Sequence, residues 1–126
     1  MLKSGSEHLE SLQDGRVVYI GSERVDDVTT HPGFRNGARS MAAIYDLKRA
    51  DPAFSYTEGK DKERYSAYFL RAKSRDDLQK RTHLHRAIAA MSHGLLGRSP
   101  DHVSSFVTGM AMNAAVFGKF SENLDA

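Results

Sequence analysis

The chain has 126 residues and a formal net charge of +2, with 40% hydrophobic and 27% charged residues, a profile that fits one soluble globular domain with a moderate core. The densest basic run, Arg71 to Arg86, is broken by Asp76 and Asp77; it reads as a solvated helix face, which argues against a nucleic-acid surface. Cysteine is absent, which removes disulfides, thiolate metal sites and cysteine nucleophiles from this chain. No apolar run approaches the ~20 residues of a membrane span. Met1 to Glu7 has no apolar stretch of the kind a signal peptide needs, so a cytoplasmic location is expected.

Ser6 to Leu12 reads as a short helix with Ser6 as N-cap, closed near Asp14-Gly15. Val17-Val18-Tyr19-Ile20, Gly21-Ser22 and Arg24-Val25 then spell a small hairpin. Thr29-Thr30-His31-Pro32 resembles a helix start with proline in the first turn. Phe34, Ala38, Met41, Ala42 and Tyr45 follow at helical spacing, and Asp51-Pro52 stops the run. Residues 53 to 64 read as a loop between short strands, the second strand being Tyr65 to Leu70. Ser74-Arg75-Asp76-Asp77 has the pattern of a capping box with Asp in place of Glu. It opens a long helix with Leu84, Ile88, Met91 and Leu95 on one face and Gly97 as its stop. Ser99-Pro100 starts a last helix, in which Val103, Phe106, Val107, Met110, Ala114 and Phe117 recur at helical spacing, with Gly118 placed to bend or end it. Residues 120 to 126 resemble the beginning of a further element. The fold class is therefore mainly α, with one or two small β-hairpins and apolar stripes on three helices that predict a small bundle.

Chemistry is sparse along this chain. It lacks a glycine-rich phosphate loop, a zinc-helix motif and a serine elbow. His83 and His85 lie two apart on a predicted helix and point to different faces, so they do not share a metal. His8 and His31 fall near predicted helix starts and read as surface residues. Glu7 and Glu10 suit the positive end of a helix. The most informative segment is Gly97-Arg98-Ser99-Pro100-Asp101-His102, a turn between two rigid helices. Arg98 is a permanent cation beside a helix N-terminus, an arrangement that favours an anion such as a phenolate or carboxylate. His102, four residues on, can share its side and exchange a proton near neutral pH. In the plainer alternative, Arg98 pairs with Asp101 and His102 is merely solvated.

Several separated stretches, in order, resemble one family. They are Leu9 to Arg16, Tyr19 to Arg35 (YIGSERVDDVTTHPGFR), Ala72 to Arg81 (AKSRDDLQKR), Gly94 to His102 (GLLGRSPDH) and Phe106 to Asn113 (FVTGMAMN). Together they are similar to the oxygenase component of the 4-hydroxyphenylacetate 3-monooxygenase family, and the likeness runs from about Ser4 to Asn123. The resemblance implies a two-component enzyme. A separate flavin reductase supplies reduced FAD, and the oxygenase uses it with O2 to hydroxylate a phenol ortho to its hydroxyl, giving a catechol. It also implies a fold similar to acyl-CoA dehydrogenases. Residues 1–126 would form the helical N-terminal domain, and the flavin-binding barrel and the C-terminal bundle that makes a tetramer would be supplied by other parts. FAD would be held mainly by those parts. A cousin branch that holds an iron–sulfur cluster on cysteines does not fit a chain without cysteine.

The resemblance assigns Arg98 to the phenol oxygen and places Ser99, Pro100, Asp101 and His102 in the same substrate-binding segment. The family's best-known members carry tyrosine where this chain has His102, a departure that bears on the shape and pH response of the pocket. No residue of this chain is expected to be catalytic, and the 126 residues alone are expected to be inactive. The competing expectation is a non-catalytic helical module that acts in packing or interaction. The expected partners are a phenolic small molecule, the reductase and further copies of the chain, with neither nucleic acid nor membrane.

Overall fold

The computed structural model describes residues 2–60, 62–96 and 102–118. In chain order these form α1 (Gly5–Glu10), the β1 (Val18–Ile20) and β2 (Glu23–Val25) hairpin, α2 (Arg35–Ala50), a 3-10 turn at Pro52–Phe54, the β3 (Ser55–Glu58) and β4 (Glu63–Ser66) hairpin, a second 3-10 turn at Ala67–Phe69, α3 (Arg75–Met91), α4 (His102–Met112) and α5 (Ala114–Phe117). The mainly helical class with small hairpins is thus observed, with two hairpins. The chain divides into two compact units, Met1–Arg64 and Tyr65–Ala126.

In the first unit α1 docks on α2 through an unusually close backbone approach. The Gly5 N–H donates to Asp46 Oδ1 at 2.7 Å. A Cβ on the buried Gly5 would collide with the Asp46 carboxylate and come within 2.7 Å of the Ala42 carbonyl oxygen. The N-cap is Ser4, two residues earlier than the sequence pattern indicates. Its Oγ accepts from the Glu7 N–H at 3.2 Å, and the Ser4 N–H donates back to Glu7 Oε2 at 2.6 Å, a reciprocal pair that satisfies two orphan donors. Ser6 would place the cap inside the helix. The α1 helix ends at Glu10, and Gly15 supplies its left-handed conformation (φ +80°) in the following loop. His8 is half-buried: its ring stacks on Tyr45 at 4.5 Å, and the Lys48 ammonium sits 4.6 Å from the centroid of the Tyr45 ring.

The first hairpin is antiparallel, with Val18 opposite Val25 and Ile20 opposite Glu23. Gly21, at φ +60°, opens its two-residue turn, as the twist of a tight hairpin requires. Val25 carries the buried end. The expected start of α2 at Pro32 moves to Arg35, because residues 29 to 34 form turns held by Asp27 instead. Asp27 Oδ1 accepts from the Thr29 N–H and hydroxyl, both at 2.7 Å. His31 joins this corner to the hairpin. Its Nδ1 accepts the Gly33 N–H at 3.1 Å, so the ring proton lies on Nε2, which donates to Glu23 Oε1 at 3.2 Å. His31 is therefore a structural clip, not the surface residue the sequence indicates. Along α2, Ala42, Ile44 and the stem of Lys48 are buried, while Phe34, Ala38, Met41 and Tyr45 are half-buried. Arg64 closes the unit: its guanidinium donates to the buried Ser55 hydroxyl at 2.8 and 3.1 Å and to the Arg49 carbonyl at 3.1 Å.

The second hairpin lies earlier than expected: β3 and the first half of β4 fall within residues 53 to 64, which read as a loop in the sequence. In the second unit the strand expected at Tyr65 to Leu70 ends at Ser66. The Ser66 hydroxyl accepts from the Tyr68 N–H at 3.4 Å and turns the chain into the 3-10 segment. That turn packs against both α3 and α4. Ala67, Tyr68, Leu84 and Ile88 form the core. The α3 cap is as the sequence indicates, with Ser74 and Asp77 bonded reciprocally at 3.0 and 3.1 Å. Its end is not. The helix stops at Met91 in a Schellman arrangement, with Gly94 N–H to Ala89 O at 2.8 Å and His93 N–H to Ala90 O at 3.2 Å. His93 (φ 51°) and Gly94 (φ 76°) both take left-handed conformations there. Leu95, expected on the apolar face, lies beyond this stop and is 88% exposed. Gly97 and the Ser99-Pro100 helix start lie outside the described residues, as do residues 120 to 126. The last helix is interrupted at Asn113, and Gly118 caps α5.

Two expectations follow for the first unit. Gly5→Ala destabilises the fold by about 1–3 kcal/mol through overpacking. Gly37→Ala, in α2 with open space around it, stabilises it by about 0.5–1 kcal/mol; denaturant titration of both variants checks the pair. His8 has its pKa lowered from the ordinary 6.5 by burial and then by Lys3 and Lys48. The unfolded chain therefore takes up a proton before the folded one. The contribution of His8 is complete above about pH 6.5 and is lost as pH falls below it. Thermal unfolding between pH 7.5 and 5.5 should show that loss, and His8→Phe, which keeps the stack on Tyr45, should reduce it.

Candidate functional site

Of the expected site segment, Arg98, Ser99, Pro100 and Asp101 lie outside the described residues. His102 is the first residue of α4 and is exposed. What the structure adds is the way this helix is held. Arg81 on α3 donates from Nη2 to Ser105 Oγ at 2.5 Å, and Ser105 lies three residues after His102, on the neighbouring turn position. The Thr108 hydroxyl donates back to the Ser104 carbonyl at 2.7 Å, and Thr108 is the buried residue of α4. A polar seam of Ser104, Ser105 and Thr108 therefore faces the interior of the unit. It fixes where the first turn of α4, and His102 with it, is presented.

Arg81 belongs to the basic run that reads as a solvated face in the sequence. One member of that run is in fact a half-buried anchor. Periodicity could not single it out, because its partner is 24 residues away. A second anchor lies along α3. His85 Nδ1 is 3.0 Å from the hydroxyl of the buried Tyr68, and the Tyr68 hydroxyl donates if that nitrogen is unprotonated. The same bond secures the 3-10 turn on which α4 rests.

Two clefts open on the first unit. One, of about 310 Å³, is lined by residues that include Leu12, Arg16, Val18, Val25 and Asp27. Its Arg16 is paired with Asp14, and that pairing holds the Asp14 carboxyl at a pKa of about 2. The other, of about 290 Å³, is lined by Leu2, Glu7, Arg49, Glu63 and Arg64, whose Arg49–Glu7 pair spans 3.1 Å. Both are at or below the low end of the ~300–1,000 Å³ typical of drug-sized ligands. A flavin dinucleotide is larger than such ligands, so neither cleft makes a complete flavin site. Among the described residues, no three His, Cys, Asp or Glu side chains are placed to hold a metal, and no helix is long and apolar enough to cross a membrane.

The anchoring role of Arg81 gives a direct test. A hydrogen bond from a charged donor is worth roughly 1.5–3 kcal/mol when well shielded, and Arg81 is only half-buried. Arg81→Ala should therefore lower amide-exchange protection in α4 by about 1–2 kcal/mol while leaving α1 and α2 unchanged.

Known proteins match nearly the whole chain. The family model described as 4-hydroxyphenylacetate 3-hydroxylase N terminal matches residues 4–126. The oxygenase component of 4-hydroxyphenylacetate 3-monooxygenase from Klebsiella oxytoca is 42% identical over 124 residues, covering 95% of this chain and 24% of that protein. The oxygenase component of 4-nitrophenol 2-monooxygenase from Rhodococcus sp is 41% identical over 124 residues, with the same coverage of 95% and 24%. The crystal structure of the oxygenase component of 4-hydroxyphenylacetate 3-monooxygenase complexed with FAD and 4-hydroxyphenylacetate superposes with a TM-score of 0.82 at 36% identity. It covers 96% of this chain and 26% of that one. The chain thus spans about a quarter of the length of the relatives it matches.

Proposed function

Because the chain belongs to the 4-hydroxyphenylacetate 3-hydroxylase N-terminal family, we propose that it is the substrate-pocket-contributing domain of a flavin-dependent monooxygenase acting on 4-hydroxyphenylacetate or a related phenol. All 126 residues are assigned to the helical N-terminal domain of an acyl-CoA-dehydrogenase-like fold. The observation that carries this reading is the match over nearly the whole chain to oxygenase components, one of which is solved with both FAD and 4-hydroxyphenylacetate. The words "oxygenase component" in the relatives' names support a separate reductase as partner. FAD, when bound, supplies the oxygen-transferring chemistry, and most of its binding surface is assigned to parts other than these 126 residues. A homo-oligomer of the complete enzyme belongs to the same reading.

Within this reading the segment Arg98 to His102, with Ser99, Pro100 and Asp101 between, binds the phenol. Attack by an electrophilic oxygen needs an electron-rich ring, and a phenolate is richer than a phenol. A guanidinium at the phenol oxygen favours the ionised form and fixes the ring in place. Arg98 has that role. His102 lies four residues on in the sequence and can hydrogen-bond the same oxygen. Its exposure on α4 leaves it accessible to a ligand, and the Arg81–Ser105 bond holds the turn that carries it.

A chimera tests the proposal. Residues 4–126 replace the matched segment of the Thermus thermophilus oxygenase component, which is 36% identical over 127 residues. The chimera, given a flavin reductase, FAD and O2, should convert simple phenols to catechols, whereas the 126 residues alone should not. In the chimera, Arg98→Ala should lower kcat/KM by a factor of about 10²–10³, and His102→Tyr should shift preference across a phenol panel. Catechol formation by the isolated chain, or a fully active Arg98→Ala chimera, would overturn the assignment.

A further inference from the structure

The hydroxyl groups on the inward side of α4 bond in two different ways. Thr108 donates to the Ser104 carbonyl, within the helix. Ser105 bonds out of the helix, accepting from Arg81 on α3 at 2.5 Å. The helix also packs on the 3-10 turn at Ala67–Phe69. Packing is non-directional and leaves a helix free to turn about its axis, whereas a hydrogen bond weakens steeply with distance and angle. The Arg81 bond is therefore the contact that sets the rotation of α4. Its donor stands on a firm mount. The α3 helix is capped by Ser74 and Asp77 and buries Leu84 and Ile88. One turn beyond Arg81 it carries His85, whose Nδ1 lies 3.0 Å from the Tyr68 hydroxyl. One helix thus grips both α4 and the turn on which α4 packs.

Small rotations matter where α4 begins. His102 opens the helix, three residues before Ser105. Side chains extend about 5–6 Å from a helix axis, so a rotation of about 10° sweeps the His102 ring through about 1 Å. An N–H···O bond tolerates about 0.5 Å of travel, which at that radius is about 5° of rotation. Misplacing a substrate-positioning group by about 1 Å can cost on the order of 10²-fold in rate.

We propose that Arg81 is a positioning residue that determines phenol selectivity. It acts through Ser105 and the rotation of α4 on the hydrogen bond from His102 to the phenol oxygen, and so rests on the function proposed above. The consequence is chemical. A weakly acidic phenol depends on the site to stabilise its ionised oxygen, whereas a strongly acidic one arrives already ionised. A displaced His102 therefore penalises weakly acidic phenols more than acidic ones.

The chimera carrying residues 4–126 tests this on para-substituted phenols of graded acidity. The readout is the ratio of kcat/KM for the least acidic phenol to that for the most acidic. Arg81→Ala should lower this ratio about 10-fold. Ser105→Ala, which removes only the acceptor and controls for any general loss of folding, should do the same. The double variant should go no further, because both changes break one bond. Arg81→Lys keeps a cationic donor and should recover part of the ratio. In a His102→Ala background, Arg81→Ala should change the ratio by less than about 2-fold. Gln79→Ala, at an exposed position on α3, should leave it unchanged. An unchanged ratio in Arg81→Ala, an equal loss of rate toward every phenol, or an effect undiminished without His102 would overturn this inference and leave the proposed function standing. A chimera inactive toward every phenol would overturn both.

Discussion

The hydrogen bond from Arg81 to Ser105 fixes the rotation of α4 about its own axis, and what that helix presents to solvent follows from that angle. A rotation of half a turn would place Phe106 and Val107 in the core and Ser105 in water, as the hydrophobic pattern of the sequence demands. The observed setting costs exposed hydrocarbon, offset by a satisfied guanidinium bond and a buried threonine whose hydroxyl is bonded to its own helix. It also settles where His102 stands, since a residue at a helix start follows the helix as it turns. The placement of His102 and the exposed apolar face are thus two consequences of one polar contact.

The first unit rests on a different kind of constraint, the absence of a side chain. Gly5 lets α1 sit against α2 at backbone distance, where its N–H reaches Asp46. Around that contact the polar groups are fully employed. Glu7 caps α1 and meets Arg49, His8 stacks on Tyr45, and Lys48 lays its ammonium over the same ring. Residues that look like surface chemistry in the sequence are therefore occupied in structure. This is why the clefts of this unit, though lined with charged groups, offer few free ones.

Local physics was legible at several points where its partners are neighbours in sequence. The Ser74–Asp77 cap, the Gly21 hairpin and the Asp51-Pro52 stop each depend on residues within a few positions. All three appear as the pattern indicates. The family likeness was equally legible, because it is carried by several separated stretches in order. Element ends shifted where a side chain intervened locally: Asp27 holds the corner that delays α2, and Ser66 turns β4 into a 3-10 segment before Leu70. The stop of α3 at His93-Gly94 is hidden in the pattern because histidine occupies a left-handed position usually given to glycine.

The sequence by itself determined the helical class, the first hairpin, the N-terminal cap of α3 and the family, since propensity, periodicity and capping act over short stretches of chain. Only the tertiary structure decided which members of each pattern are buried. Arg81 reaches across 24 residues to Ser105, and Gly5 across 41 to Asp46. Those bonds set the angle and closeness of the helices. Periodicity records that a helix has an apolar side, but the direction in which that side faces is fixed by contacts the local pattern does not contain.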